Sequence, residues 1–199
     1  KRFSNWLDVY GKDRGTELLD LLEDFNKQIV QANYSGEKKM IKVIALDLDN
    51  TLLNSNKEIS IRNERVLKKL HSQGIHVVLC TGRPINAIWP LIEQLGLTKP
   101  DDYTITFNGG LVINNVSKEH LFELGMTRDD LQPLLKFVQH ENIPLDILDY
   151  DRVYELIDQP RSIYKTVLKN IEFRDTKSTE LEETTYSKAV MAIPAEKLT

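Results

Sequence analysis

Val43-Ile44-Ala45-Leu46-Asp47-Leu48-Asp49-Asn50-Thr51 decides how this chain is read. Four apolar residues in a row suit a strand covered on both faces, the habit of strands in parallel sheets. Two aspartates follow at once, two residues apart. An extended backbone points both the same way. Like charges that close repel unless a proton or a cation intervenes. A Mg²⁺ ion held by Asp47 and Asp49 would relieve the repulsion and anchor a phosphate. Asp47 could then attack phosphorus, and Asp49 could protonate the leaving oxygen. The plain alternative is an acidic strand-to-loop turn, with Asp49 and Asn50 as turn formers.

Working outward, the pattern alternates. Ser60 can cap a helix carrying Ile61, Val66, Leu67 and Leu70, and Gly74 ends it. Ile75 to Cys80 is a second apolar strand. A helix with Ile88, Leu91, Ile92 and Leu95 follows, and Pro90 must sit in its first turn or kink it. Tyr103 to Phe107 is a third strand, ending at Asn108-Gly109-Gly110. Strand–helix–strand–helix–strand is the signature of a Rossmann-like, doubly wound α/β sheet. Ligands of such sheets bind beyond the carboxyl ends of the strands. The three ends here are Asp47-Leu48-Asp49, Thr81-Gly82-Arg83 and Asn108-Gly109-Gly110. A hydroxyl and a small-residue N–H at Thr81-Gly82 would make a phosphate cradle. The bland version of that pair is an ordinary strand-to-helix turn. About thirty residues behind the paired aspartates, it is far more specific than either part alone.

Beyond Leu111 the pattern changes to a mixture of helix and antiparallel strand. Short strands are expected at Leu111–Ile113, Leu121–Glu123, Leu145–Leu148 and Val153–Ile157, the last two as a hairpin turning at 149–151. Thr127 can cap a helix from Arg128 to His140. A helix near Ser162–Lys169 and a last strand from Tyr186 to Ile193 follow, and Pro194 begins something helical. Before Met40, Leu18, Leu22, Phe25 and Ile29 recur at helical spacing, predicting an amphipathic helix from Thr16 to Gln31 and then a polar linker. Three segments result: 1–39, a helical extension with its linker; 40–110, the first half of an α/β core; and 111–199, an inserted, incomplete α+β module. The chain starts at Lys1 and not at Met, and Thr199 falls inside the segment that Pro194 opens. Neither bound is expected to be a natural one.

Composition narrows the function. The 199 residues carry 26 basic and 30 acidic side chains, a net charge of −4, which gives no footing for nucleic acid. Cys80 is the one cysteine, so an internal disulfide and a Cys-rich zinc site are both out of reach. A reducing, cytoplasmic setting follows. No apolar run approaches the ~20 residues of a membrane span. Cys80 reads as a core cysteine, because a thiol phosphatase would need its arginine six positions on, and Arg83 is three on. His71, His76, His120 and His140 show no metal-ligand spacing. The sequence gives no oligomeric state.

Three runs carry a resemblance. Ile44-Ala45-Leu46-Asp47-Leu48-Asp49-Asn50-Thr51-Leu52-Leu53, Val77-Val78-Leu79-Cys80-Thr81-Gly82-Arg83-Pro84 and Phe107-Asn108-Gly109-Gly110 stand in the order and spacing of the haloacid dehalogenase (HAD) superfamily. Residues 40–199 resemble its Cof-type, YidA-like sugar-phosphate phosphatases. The resemblance implies a Mg²⁺-dependent phosphatase of small phosphorylated metabolites. Asp47 would be the nucleophile that forms an aspartyl-phosphate and a Mg²⁺ ligand. Asp49 would be the general acid and then the base, its carbonyl a second ligand. Thr81 and Gly82 would hold the transferring phosphoryl group, with Arg83 and Asn108 near the substrate. Residues from Leu111 on would be the cap that closes over the site.

Two departures qualify the likeness. Asn50 stands where the family has glycine, a mild change because asparagine tolerates unusual backbone angles. The family's lysine and its acidic Gly-Asp-x-x-x-Asp motif follow the cap and have no counterpart in these 199 residues. Asp101-Asp102 and Asp129-Asp130 lack the glycine. The alternative reading is therefore a catalytically incomplete fragment, acting at most as a phosphate-binding or interaction module.

Overall fold

The computed structural model describes residues 41–168 and 171–193. The expected helix at 16–31, its linker and the segment opened by Pro194 lie outside these residues. The described chain forms two compact units. One holds the residues up to Thr81 together with Pro90–Ile105 and Ile113–Glu119. The other holds Gly82–Trp89, Thr106–Val112 and the residues from His120 on.

In the first unit, β1 (Val43–Asp47) and β2 (His76–Cys80) pair in parallel from Val43↔His76 to Asp47↔Cys80. The β3 strand (Tyr103–Thr106) continues the parallel order through Leu79↔Thr104 and Cys80↔Ile105. The same five-stranded sheet goes on through β4 (Leu111–Asn114) to β5 (His120–Glu123), which returns beside it as a hairpin and whose residues count with the second unit. Both strands of that hairpin stand in this sheet, not in the four-stranded sheet described below. The cover expected on both faces of β1 is not met among the described residues: Leu46 is buried, but Val43 is 53% exposed. Among the described residues β1 is the terminal strand of the order, so its apolar run has a strand neighbour on one side only there.

The helices obey their local signals. In α1 (Ile61–Ser72) the Ser60 hydroxyl accepts the Asn63 N–H at 3.2 Å, and Gly74 turns the chain away at φ +87°. Leu67 and Leu70 on its inner face are fully buried. In α2 (Trp89–Leu95) Pro90 falls in the first turn, where its missing N–H costs nothing. Two buried networks lock this unit. The His71 ring nitrogen Nε2 lies 2.9 Å from Asp102, which also accepts the Lys99 N–H at 2.7 Å. The Thr104 hydroxyl donates to Asn115 Oδ1 at 2.7 Å, and Asn115 donates to the Leu97 carbonyl.

The second unit holds a four-stranded sheet, ordered β8-β7-β6-β9. The β6 (Asp146–Leu148) and β7 (Arg152–Leu156) strands form the expected antiparallel hairpin. Its turn is fixed by Asp149, whose Oδ1 accepts the N–H groups of Asp151 and Arg152, each at 2.7 Å. The α3 helix (Arg128–Glu141) is capped by Thr127 and Asp130 reciprocally. It lays Leu131, Leu135 and Val138 against Ile147, Tyr154 and Tyr186. The next helix, α4 (Tyr164–Val167), is shorter than the span read from sequence. The sequence reading has no strand at β8 (Glu172–Thr176), which runs parallel to β7. The last strand, β9 (Lys188–Val190), is shorter than the Tyr186–Ile193 expected, and Tyr186 instead bridges Met126. Asp146 and Leu148 alternate with core-facing Ile147, and their partners Val190 and Lys188 flank Ala189, which packs on the core. Asp146 and Lys188 therefore stand on the face of the sheet turned away from α3.

Candidate active site

Asp47 closes β1, exposed, level with Cys80 at the end of β2. The chain then makes one wide turn, Leu48–Leu52, sealed by the Leu53 N–H on the Leu48 carbonyl at 2.9 Å. Leu48 is buried, while Asp49 is half-buried. Asn50 takes φ +60°, the left-handed region. That explains why asparagine can stand where the related motif has glycine, since few other side chains enter this region cheaply. A tight hairpin follows, bridged at Leu53↔Ile59. It presents Lys57, whose Nζ lies 2.9 Å from Asp49 Oδ1. Sequence reasoning missed this lysine.

Thr81 follows Cys80, is buried, and donates its backbone N–H to the Ile105 carbonyl at 3.0 Å. Asp47, Asp49 and Thr81 thus share the first unit, at the carboxyl ends of parallel strands. Cys80 beside them is a poor nucleophile. Burial, and then the charge of Asp47, push its thiol up.

Gly82, Arg83 and Asn108 belong to the second unit. The structure brings Gly82 and Asn108 together so closely that a β-carbon on Gly82 would collide with Asn108 Oδ1. Asn108 lies in a run of three left-handed residues, with Phe107, Asn108 and Gly109 at φ +51°, +58° and +94°. The Phe107 ring is held edge-on to Tyr150, centroids 5.5 Å apart. A bulky residue in that conformation is strained, and such strain gathers at functional loops. The Phe107 N–H donates to the Arg83 carbonyl at 3.3 Å, so the two loops are tied. Lys188 reaches the same place: its Nζ donates to the Gly82 carbonyl at 3.1 Å. The sequence reading did not single it out.

A histidine does join a possible metal group, against expectation. His76, Asp101 and Asp102 offer ligand atoms within 4.8 Å of one another. Spacing along the chain could not show this, because the group joins the start of β2 to the turn before β3. His76 opens β2, so the group lies at the end of the strand opposite Cys80, about 13 Å away along the strand. It is not the Asp47–Asp49 site.

A family model of haloacid dehalogenase-like hydrolases matches residues 44–199. This chain belongs to that family. Among curated relatives, YxeH of Bacillus subtilis (strain 168) is 36% identical over 115 residues, 58% of this chain and 43% of that protein. The same organism's YwpJ, named a phosphatase, is 29% identical over 114 residues, 57% of this chain and 39% of that protein. The chain thus spans less than half the length of these relatives. A haloacid dehalogenase-like hydrolase from Bacteroides thetaiotaomicron superposes with TM-score 0.60 at 32% identity, covering 69% of this chain and 52% of that one. Among the described residues no helix is long and apolar enough to cross a membrane.

Proposed function

We propose that this chain carries the phosphoryl-transfer end of a phosphatase for small phosphorylated metabolites, sugar phosphates among them. The observation that carries the reading is Asp47 at the carboxyl end of β1, level with Cys80 and so with the start of Thr81-Gly82. Relatives support the substrate class. YcsE of Bacillus subtilis (strain 168), 39% identical over 69 residues, is named a 5-amino-6-(5-phospho-D-ribitylamino)uracil phosphatase. The lone cysteine, a free thiol, supports a reducing cytoplasmic setting.

The chemistry is assigned residue by residue. An Asp47 carboxylate oxygen attacks phosphorus as the ester P–O bond breaks, giving an aspartyl-phosphate. Asp49 gives its proton to the departing alkoxide. Its carboxylate then takes a proton from water, which attacks phosphorus. The P–O bond to Asp47 breaks, and inorganic phosphate leaves. Thr81 and Gly82 orient the phosphoryl group, while Arg83 and Asn108 take the rest of the substrate. The Asp47 carboxylate and the Asp49 carbonyl are hard oxygen donors, the kind Mg²⁺ takes while keeping several waters. The donor set therefore fits that ion, which when bound supplies charge neutralisation for the phosphoryl oxygens. Lys57 adds fixed positive charge at Asp49.

Phosphate release from an aryl phosphate with Mg²⁺ tests the reading. Turnover, weak or strong, that falls about a thousandfold or more in Asp47→Asn supports it. Turnover undiminished in that variant sinks it. Phosphate binding without any turnover marks the chain as a binding module instead.

A further inference from the structure

His76, Asp101 and Asp102 all lie in the first unit. One imidazole and two carboxylates there offer ligand atoms within 4.8 Å of one another. Asp102 is buried and held in place from behind. The His71 ring nitrogen Nε2 lies 2.9 Å from its Oδ1 and 3.0 Å from its Oδ2, and the Lys99 N–H donates to Oδ2 at 2.7 Å. Lys99 also fixes His71, its Nζ donating to the His71 carbonyl at 2.7 Å. A carboxylate has about four acceptor sites, so these donors leave one for a further bond. An imidazole behind a carboxylate is the kind of outer support that orients metal ligands. Asp101 and His76 stand in front, their side chains 64% and 40% exposed. His76 Nδ1 is 3.8 Å from Asp101 Oδ2, too far for a hydrogen bond. Among the described residues no lysine or arginine side chain pairs with either carboxylate. Two ligands about 2.1 Å from a tetrahedral ion stand about 3.4 Å apart, so the gap between His76 and Asp101 admits an ion after a small shift.

We propose that His76, Asp101 and Asp102 hold a Zn²⁺ ion, completed by water, as a clasp between the start of β2 and the turn before β3. The donor set selects the metal. Oxygen-only sites suit Mg²⁺ and Ca²⁺, whereas an imidazole beside carboxylates suits Zn²⁺. The ion also offsets the repulsion between two neighbouring acids. The exposed side of the group gives it an entry path and a place for water. The site stands about 13 Å along β2 from Cys80, so the ion touches none of the residues assigned to phosphoryl transfer. Its effect is on stability: an ion that binds the folded chain raises the unfolding temperature. The assignment does not depend on the phosphatase reading.

Zn²⁺ is the probe, with binding measured by calorimetry on the 199-residue chain in excess Mg²⁺. His76→Gln and Asp101→Asn each remove one ligand from an exposed position, so the unfolding temperature without Zn²⁺ should not change. Each should weaken Zn²⁺ about tenfold or more. Zn²⁺ should raise the unfolding temperature of the native chain and leave that of both variants where it was. Asp102 is left intact, because its carboxylate also holds His71 and the Lys99 N–H. Asp47→Asn is the control and should bind Zn²⁺ as the native chain does. If Asp47→Asn loses Zn²⁺ while His76→Gln keeps it, the ion sits at the other end of the sheet and the proposal falls. If the native chain binds no Zn²⁺, or both variants bind it as the native chain does, the proposal falls too. If the variants lose Zn²⁺ only in step with a lower unfolding temperature in its absence, the two residues are structural props and the clasp is wrong. The phosphatase reading stands under each of these outcomes, since none of them measures turnover.

Discussion

Cys80 reports on Asp47 without any substrate. The two residues are register partners, and the aspartate's charge is the second cause, after burial, of the raised thiol. Asp47→Asn removes that charge and leaves the burial. Alkylation of Cys80 by iodoacetamide at about pH 8.5 should then run about two- to fivefold faster, because the reactive form is the thiolate. An unchanged rate would mean the carboxylate does not face the thiol, and the strand-end geometry would be wrong. The same pair shows what could be read from residues alone. The positions of Asp47 and Thr81 in the fold were legible, because one closes and the other follows a short apolar strand. Lys57 and Lys188 were not. Their partners lie 8 and 106 residues away, and in sequence each looks like any solvated lysine. Asp102 shows the converse. It is one of two adjacent acids, yet its carboxylate is buried against His71 and the Lys99 N–H.

Elements were legible where their signals are local. Ser60 and Gly74 bound α1, and Thr127 opens α3, each acting within one turn of chain. Strand β8 failed that test. Glu172-Phe173-Arg174-Asp175-Thr176 is mostly charged, and it becomes a strand only because β7 offers a parallel edge from Arg152↔Glu172 to Leu156↔Thr176. Its charges find partners elsewhere: Arg161 meets Asp175 at 3.0 Å and also reaches Glu155. The α3 cap gives a measurable consequence. The Thr127 hydroxyl accepts the Asp130 N–H at 3.2 Å, and Asp130 accepts the Thr127 N–H at 2.8 Å. Thr127→Ala removes one half of this exchange. It should cost about 1 kcal/mol, read as a lower urea midpoint with an unchanged slope, whereas Thr127→Ser should cost little. An alanine variant as stable as the native chain would show that the helix start is held by packing alone.

At the scale of the whole molecule, the described chain divides into two compact units, and the second hides a charge it cannot easily solvate. Asp146 is fully buried on β6, directly opposite Glu155, and among the described residues neither of its oxygens meets a hydrogen-bond donor in good geometry. Burial pushes its carboxyl up to about 6; the Ser162 hydroxyl nearby offsets part of this, and the Glu155 charge adds to it. Glu155 is itself held by Arg161, and the Tyr164 hydroxyl, raised in part by Asp146, closes the surroundings from α4. The sign of the pH dependence follows. Below about pH 4 the carboxyl is protonated both folded and unfolded, and it costs nothing. Between about pH 4 and 6 the unfolded chain ionises it and the folded chain does not, so stability drains away as pH rises. Above about pH 6 the full cost remains, at most about 3 kcal/mol. Asp146→Asn keeps the shape and cannot ionise, although its amide is buried too. It should stabilise the second unit by about 1–2 kcal/mol at about pH 8 and by nothing at about pH 4. Hydrogen exchange of the β6 and β7 amides, compared between variant and native chain at each pH, reads this unit directly. Equal protection of the two chains at the higher pH would show that the buried carboxylate finds a partner, and that its charge costs the fold nothing.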